Sequence, residues 1–170
     1  MLLRSAVVLA LVIHAPLARA QTPHQASALR GLKAVRVTVS LQRGATASAM
    51  AADTAELRTQ VEMELRHAGI APSATESSAP QLALAVTLLS RPESPCRPDS
   101  VLSWYSYRLE LRQWAEINQR PPTFVWATTW GLGGVGFSNQ SHIAAEIVLS
   151  VHQITDTFLR EVAADNPAPR

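Results

Sequence analysis

Two stretches of this chain, Asp53–Gly69 and Ser141–Ala164, carry apolar residues on a single helical stripe. The first sets Leu57, Val61, Leu65 and Ala68 in line; the second sets Ile143, Ile147, Val151, Ile154, Phe158 and Val162 in line. A helix of that kind buries one face only and needs a flat apolar surface to cover. Segments of period two supply it. Lys33–Leu41 alternates Val35, Val37, Val39 and Leu41 with Arg36, Thr38 and Ser40, which marks a half-buried strand. Gln81–Leu89 turns Leu82, Leu84, Val86 and Leu88 one way and Ala83 and Ala85 the other. A longer strand runs from about Leu102 to Ile117, with Tyr105, Tyr107, Leu109 and Leu111 on its apolar side. Thr123–Trp130 reads as the fourth strand.

Punctuation residues separate these elements. Asp53-Thr-Ala-Glu56 has the form of a capping box, and Gly69 with Pro72 closes the helix it opens. Gln42–Ala52 and Ala71–Pro80 are small-residue linkers; Asn118–Pro122 is a turn, because consecutive prolines cannot continue a central strand. Asn166-Pro167 stops the second helix. The order is β-α-β-β-β-α. It predicts an α+β two-layer sandwich: a four-stranded, mostly antiparallel or mixed sheet with both helices on one face. If the first β-α-β step shares that sheet, its crossover is right-handed.

The first twenty residues set the compartment. Arg4 precedes an apolar run through Ile13, and Ala18-Arg19-Ala20 offers small residues before Gln21. That order is the pattern of a secretory signal peptide with cleavage near Ala20–Gln21, and the run is shorter than the roughly 20 residues a membrane-spanning helix needs. The expected division is a signal peptide at 1–20, a flexible linker at 21–32, a single domain at 33–166 and a tail at 167–170. The expected location is the periplasm or the exterior.

Charge must be read after that removal. The chain of 170 residues has 15 Lys+Arg and 13 Asp+Glu, a formal +2, with a pI near 9.2. Without Arg4 and Arg19 the count is 13 against 13. No basic cluster remains, which speaks against nucleic acid as a partner. The lone cysteine, Cys96, allows no intramolecular disulfide; it sits in the proline-studded stretch Arg91–Asp99 and reads as an incidental loop residue.

Trp130-Gly-Leu-Gly-Gly-Val-Gly-Phe137 matches the spacing of a dinucleotide-binding turn. That reading requires a continuous aliphatic strand before the glycines and a second strand with an acidic residue beyond the helix. Phe124–Trp130 is not such a strand, and no second one follows. The glycines are therefore expected to form a flexible connection from the sheet edge into the second helix. No cofactor is implied. His142 and Glu146, one helical turn apart, lack a third metal ligand. Ser141 beside His142 lacks an acidic partner and an oxyanion turn. No catalytic residue is assigned.

The aromatic distribution carries more. All four tryptophans, Trp104, Trp114, Trp126 and Trp130, fall in the last two strands. Trp104, Arg108, Arg112 and Trp114 share the side of their strand away from the tyrosines. If Trp126 and Trp130 lie on that side too, the sheet presents a Trp/Arg surface of the kind enriched at interface hot spots. Otherwise these rings cover the core. A free sheet edge is a second way to hold a partner, by strand addition.

An export signal followed by β-α-β-β-β-α, ending in the helix Phe158-Leu-Arg-Glu-Val-Ala-Ala-Asp-Asn-Pro167, resembles small bacterial envelope accessory proteins. The LPS-assembly lipoprotein family and the N-terminal domain of the TolB family are similar in arrangement. The resemblance implies a non-enzymatic binding or assembly role with another envelope protein as partner. This chain departs from the lipoprotein pattern in having no cysteine after its apolar run, so lipid anchoring is not expected. Two alternatives stay open: a carrier of a small apolar ligand or lipid between sheet and helices, and a small thiol or hydrolytic enzyme.

Overall fold

The computed structural model describes residues 28–44, 53–73, 79–94, 97–117 and 120–167. Residues 1–20, expected to be a signal peptide, His24 and Cys96 lie outside them. Five strands, β1 (Ala34–Arg43), β2 (Ala71–Pro72), β3 (Gln81–Ser94), β4 (Arg97–Ile117) and β5 (Thr123–Asn139), form one sheet ordered β2-β1-β3-β4-β5. β1 pairs in parallel with β2 and β3, while β3–β4 and β4–β5 are antiparallel. Helices α1 (Thr54–His67) and α2 (Ile143–Asp165) complete the chain. The α+β class and the mixed sheet agree with the sequence. The fifth strand is a correction: Ala71–Pro72, expected within a linker, adds two residues beside Ala34 and Val35.

Each element forms for a local reason. The Asp53 carboxylate accepts the Ala55 N–H at 3.2 Å and starts α1. Gly69 ends it with φ of 78°, the left-handed conformation glycine adopts at no steric cost. At the far end of α2, the Asn166 side chain donates to the Val162 and Leu29 carbonyls, both at 2.8 Å, and accepts from the Gly31 N–H at 2.5 Å. That one amide stops α2 and fastens residues 28–32, ahead of the predicted domain start, onto the fold. Leu29 is buried there with the core.

The core lies between the sheet and the helices. Leu57, Val61 and Leu65 of α1 meet the predicted stripe of α2 above the inward residues of β1, β3 and β4. Every residue of that α2 stripe is buried. On β4, Leu109 and Leu111 are buried, and the buried Tyr105 hydroxyl hydrogen-bonds Ser150 Oγ at 2.9 Å. The helices are joined at their surface by His152 Nδ1 and Glu64 Oε1, 2.9 Å apart. That contact raises the His152 pKa above its usual value, chiefly through the hydrogen bond the imidazole donates to Glu64 and then through the charge of the same carboxylate.

The glycine segment is a second correction. Gly131–Gly136 is no flexible connection: it is the middle of β5, paired with Tyr105–Glu110 of β4. Tyr105 lies opposite Gly136, and Tyr107 opposite Gly134. The two rings stack with centroids 6.0 Å apart. A β-carbon on Gly136 would stand 2.4 Å from the Tyr105 ring, and one on Gly134 would stand 2.6 Å from the Tyr107 hydroxyl oxygen. The glycines are thus the floor on which two tyrosines lie, a cross-strand device in which the ring covers what the glycine leaves bare.

Candidate functional site

The helices cover one face of the sheet and leave the other open. Side chains alternate along a strand, so each strand that builds the core also builds this outer face. Along β4 the outward residues are Trp104, Ser106, Arg108, Glu110, Arg112 and Trp114. Their neighbours follow from the register: Leu89, Ala85, Ala83 and Gln81 on β3, and Phe137, Val135, Gly133 and Gly131 on β5.

Three zones result. At one end Leu89, Trp104 and Phe137 lie side by side across three strands, exposed by 55%, 42% and 73%, with Val135 beside them at 83%. In the middle, Glu110 sits between Arg108 and Arg112. Arg108 Nε reaches Glu110 Oε1 at 2.7 Å, and Arg112 Nη2 reaches Oε2 at 2.6 Å. Residues at i−2 and i+2 on a strand share a face, which places both guanidinium groups against one carboxylate. Glu110 is buried under them while both arginines remain open to water, leaving the cluster with one net positive charge. At the other end Trp114 and Trp126 meet edge-on with centroids 5.6 Å apart, next to Phe124. Trp114 is exposed by 57% and Phe124 is also exposed, while Trp126 is half-buried.

Trp130 does not join them. It is only 3% exposed, packs edge-on against Phe158 at 4.9 Å, and its indole N–H donates to Glu161 at 2.6 Å. The reason is one extra residue. Trp114 pairs with Trp126 and Arg112 with Thr128, but Leu111 pairs with Trp130, so Thr129 is inserted at a bulge. Before it the even-numbered residues of β5 face outward; after it the odd-numbered ones do. Trp126 and Trp130 have the same parity and opposite faces. The expectation of four tryptophans on one surface is corrected to three outside and one in the core.

No family model matches the sequence, and no curated protein does either. Solved structures similar to it include a minor lipoprotein from Acinetobacter baumannii, with a TM-score of 0.44 and 13% identity over 80% of this chain and 94% of that one. The rare lipoprotein B from Shewanella oneidensis follows at 0.38 and 13%, over 74% and 93%. An uncharacterised protein gives 0.36 and 14%, over 79% and 92%. The likeness is one of layout.

The remaining candidates are accounted for locally. Ser141 donates to Asn139 Oδ1 at 2.8 Å, inside the turn that leads into α2. His142 and Glu146 are exposed at the start of that helix, and among the described residues no three His, Cys, Asp or Glu side chains converge as a metal site would require. No helix among them is long and apolar enough to cross a membrane. The sequence reading missed Leu89, Phe124, Val135 and Phe137 as members of the outer surface. Val135 and Phe137 had a legible signal in their apolar side chains, but the glycines around them concealed the strand.

Proposed function

We propose that this protein is an exported, non-enzymatic binding or assembly accessory of the cell envelope, which holds a protein partner on the outer face of its sheet. The carrying observation is the pattern of that face: two clusters of large apolar side chains on either side of the Arg108–Glu110–Arg112 cluster, all on one hydrogen-bonded sheet. Interface centres favour exposed Trp, Phe and Arg on a fixed scaffold, where burying each side chain costs little ordering. Arg108 and Arg112 keep unused donors pointing to solvent, which suits carbonyl or carboxylate groups on the partner. Export rests on the signal-peptide pattern of residues 1–20. Between sheet and helices, Phe158, Ile147 and Leu109 are fully buried in one apolar cluster, which favours an outer-face role over a carried ligand.

The test is photo-crosslinking in cells that export the protein, with the probe at Trp104, Phe137 or Trp114 and, as a control, at Arg66 on the exposed side of α1. One discrete protein adduct shared by the outer-face positions and missing at Arg66 is the expected result. Equal or scattered adducts at all four positions refute the outer face as the working surface.

A further inference from the structure

The two edges of the sheet are finished differently. On one side β2, two residues long and containing Pro72, covers only Ala34 and Val35, and the rest of the β1 edge carries Arg36 and Arg43, with Arg58 donating to the Val37 carbonyl at 2.6 Å. The other ends in β5, with seventeen residues. An edge strand presents unpaired N–H and C=O groups, and proteins guard such edges with charge, proline, brevity or a bulge. β5 has only the last: Thr123–Asn139 contains no Asp, Glu, Lys, Arg, His or Pro. The bulge at Thr129 is its one break in register.

We propose that β5 is a self-association edge, through which two copies of this chain pair antiparallel into one continuous ten-stranded sheet. Three features single out a second copy as the occupant. Antiparallel pairing of a strand with itself closes about a two-fold axis perpendicular to the sheet, so the contact is complete at two copies. The exposed apolar residues of β5 lie at opposite ends, Phe124 at one and Val135 with Phe137 at the other. Antiparallel pairing therefore brings Phe124 of each copy alongside Val135 and Phe137 of its partner, twice by symmetry. The strand also meets its copy with no like charges opposed, since it carries none. In the pair all four helices lie on one side, and the outer faces join into a surface twice as wide. The backbone edge is separate from the face assigned above, although Phe124, Val135 and Phe137 border both; Trp104, Arg108 and Trp114 stay open whether or not the edge is used.

The test is sedimentation equilibrium of the purified protein over a wide concentration range. The wild type is expected to show a monomer–dimer equilibrium. Val135→Lys and, separately, Thr128→Lys, both at exposed positions, are expected to weaken dimerisation roughly tenfold or more, while Arg66→Glu on α1 leaves it unchanged. Circular dichroism verifies that each variant is folded, and amide hydrogen exchange of β5 is expected to slow on dimerisation and to quicken in the Lys variants. A wild type that remains monomeric at every concentration overturns the proposal, as does a dimer untouched by both substitutions. β5 amides that become protected only when a different exported protein is added also overturn it, and assign the edge to a foreign strand. Crosslinking from Trp104 and Trp114, which the paired edge leaves open, is read independently, so either proposal can fail alone.

Discussion

One strand, β4, shows the two faces of this molecule side by side. Its inward residues, Tyr105, Leu109 and Leu111, are buried against the helices. Its outward residues, Trp104, Arg108, Arg112 and Trp114, stand in water on the same backbone. Both sets carry large aromatic rings, so aromatic content alone does not separate them; the leucines lie on one side and the arginines on the other. The inner set owes its place to the hydrophobic effect, at about 25 cal/mol for each Å² removed from water. The outer set forgoes that gain, and exposed apolar clusters of this kind mark interaction sites more often than they mark a folding requirement.

The contrast is broken most strongly at the core. Phe158→Ala removes the ring that meets Trp130 and is expected to cost about 3–5 kcal/mol, read as a lowered urea midpoint. Trp104→Ala on the outer face is expected to change stability by less than about 1 kcal/mol while lowering the yield of partner adducts. A loss of several kcal/mol at Trp104 would erase the distinction between the faces.

The glycines of β5 sharpen it at intermediate size. Gly136→Ala drives a methyl group into the Tyr105 ring and is expected to cost about 1–3 kcal/mol. Gly131→Ala places its methyl on the outer face, with its nearest neighbour at an ordinary 3.6 Å. It is expected to be neutral or to stabilise by up to about 0.5–1 kcal/mol, because alanine restricts the unfolded chain. Thermal unfolding of both variants reads the difference, and a reversed order contradicts the assignment of faces.

The smallest effect lies on the helical layer. The His152 pKa is raised in the folded state by Glu64, so the pair favours folding while the imidazole is protonated. Its contribution is complete at pH values below the ordinary imidazole pKa and above the carboxylate range. It fades as the pH rises through the raised native value. The His152 side chain is 56% exposed, which screens the pair to under about 0.5–1 kcal/mol. The difference in melting temperature between wild type and His152→Ala is expected at mildly acid pH and should vanish at alkaline pH. A difference that grows with pH has the wrong sign.

Much of this architecture was legible in the chain. The alternation at Val35–Leu41 and Leu82–Leu88 and the stripe from Ile143 to Val162 each specify a buried face through side-chain period alone. The parts that escaped depend on a neighbour. Thr129 is an ordinary strand residue until its partner strand shows that Leu111 skips it, and that skip turns Trp130 inward. Gly134 and Gly136 weaken a strand in isolation; they are tolerated because Tyr105 and Tyr107 lie across them, which only the register reveals. β2 holds two residues, too few to carry a period.

The central claim, that one sheet has a sealed face and an open one, is tested most directly by fluorescence quenching of single-tryptophan proteins. One variant keeps Trp114 and another keeps Trp130, the remaining tryptophans being replaced by Phe. The structure predicts ready quenching of Trp114 by a water-soluble ion such as iodide, and a blue-shifted, shielded emission from Trp130. Equal quenching of the two, or a shielded Trp114 in the monomeric protein, would contradict it.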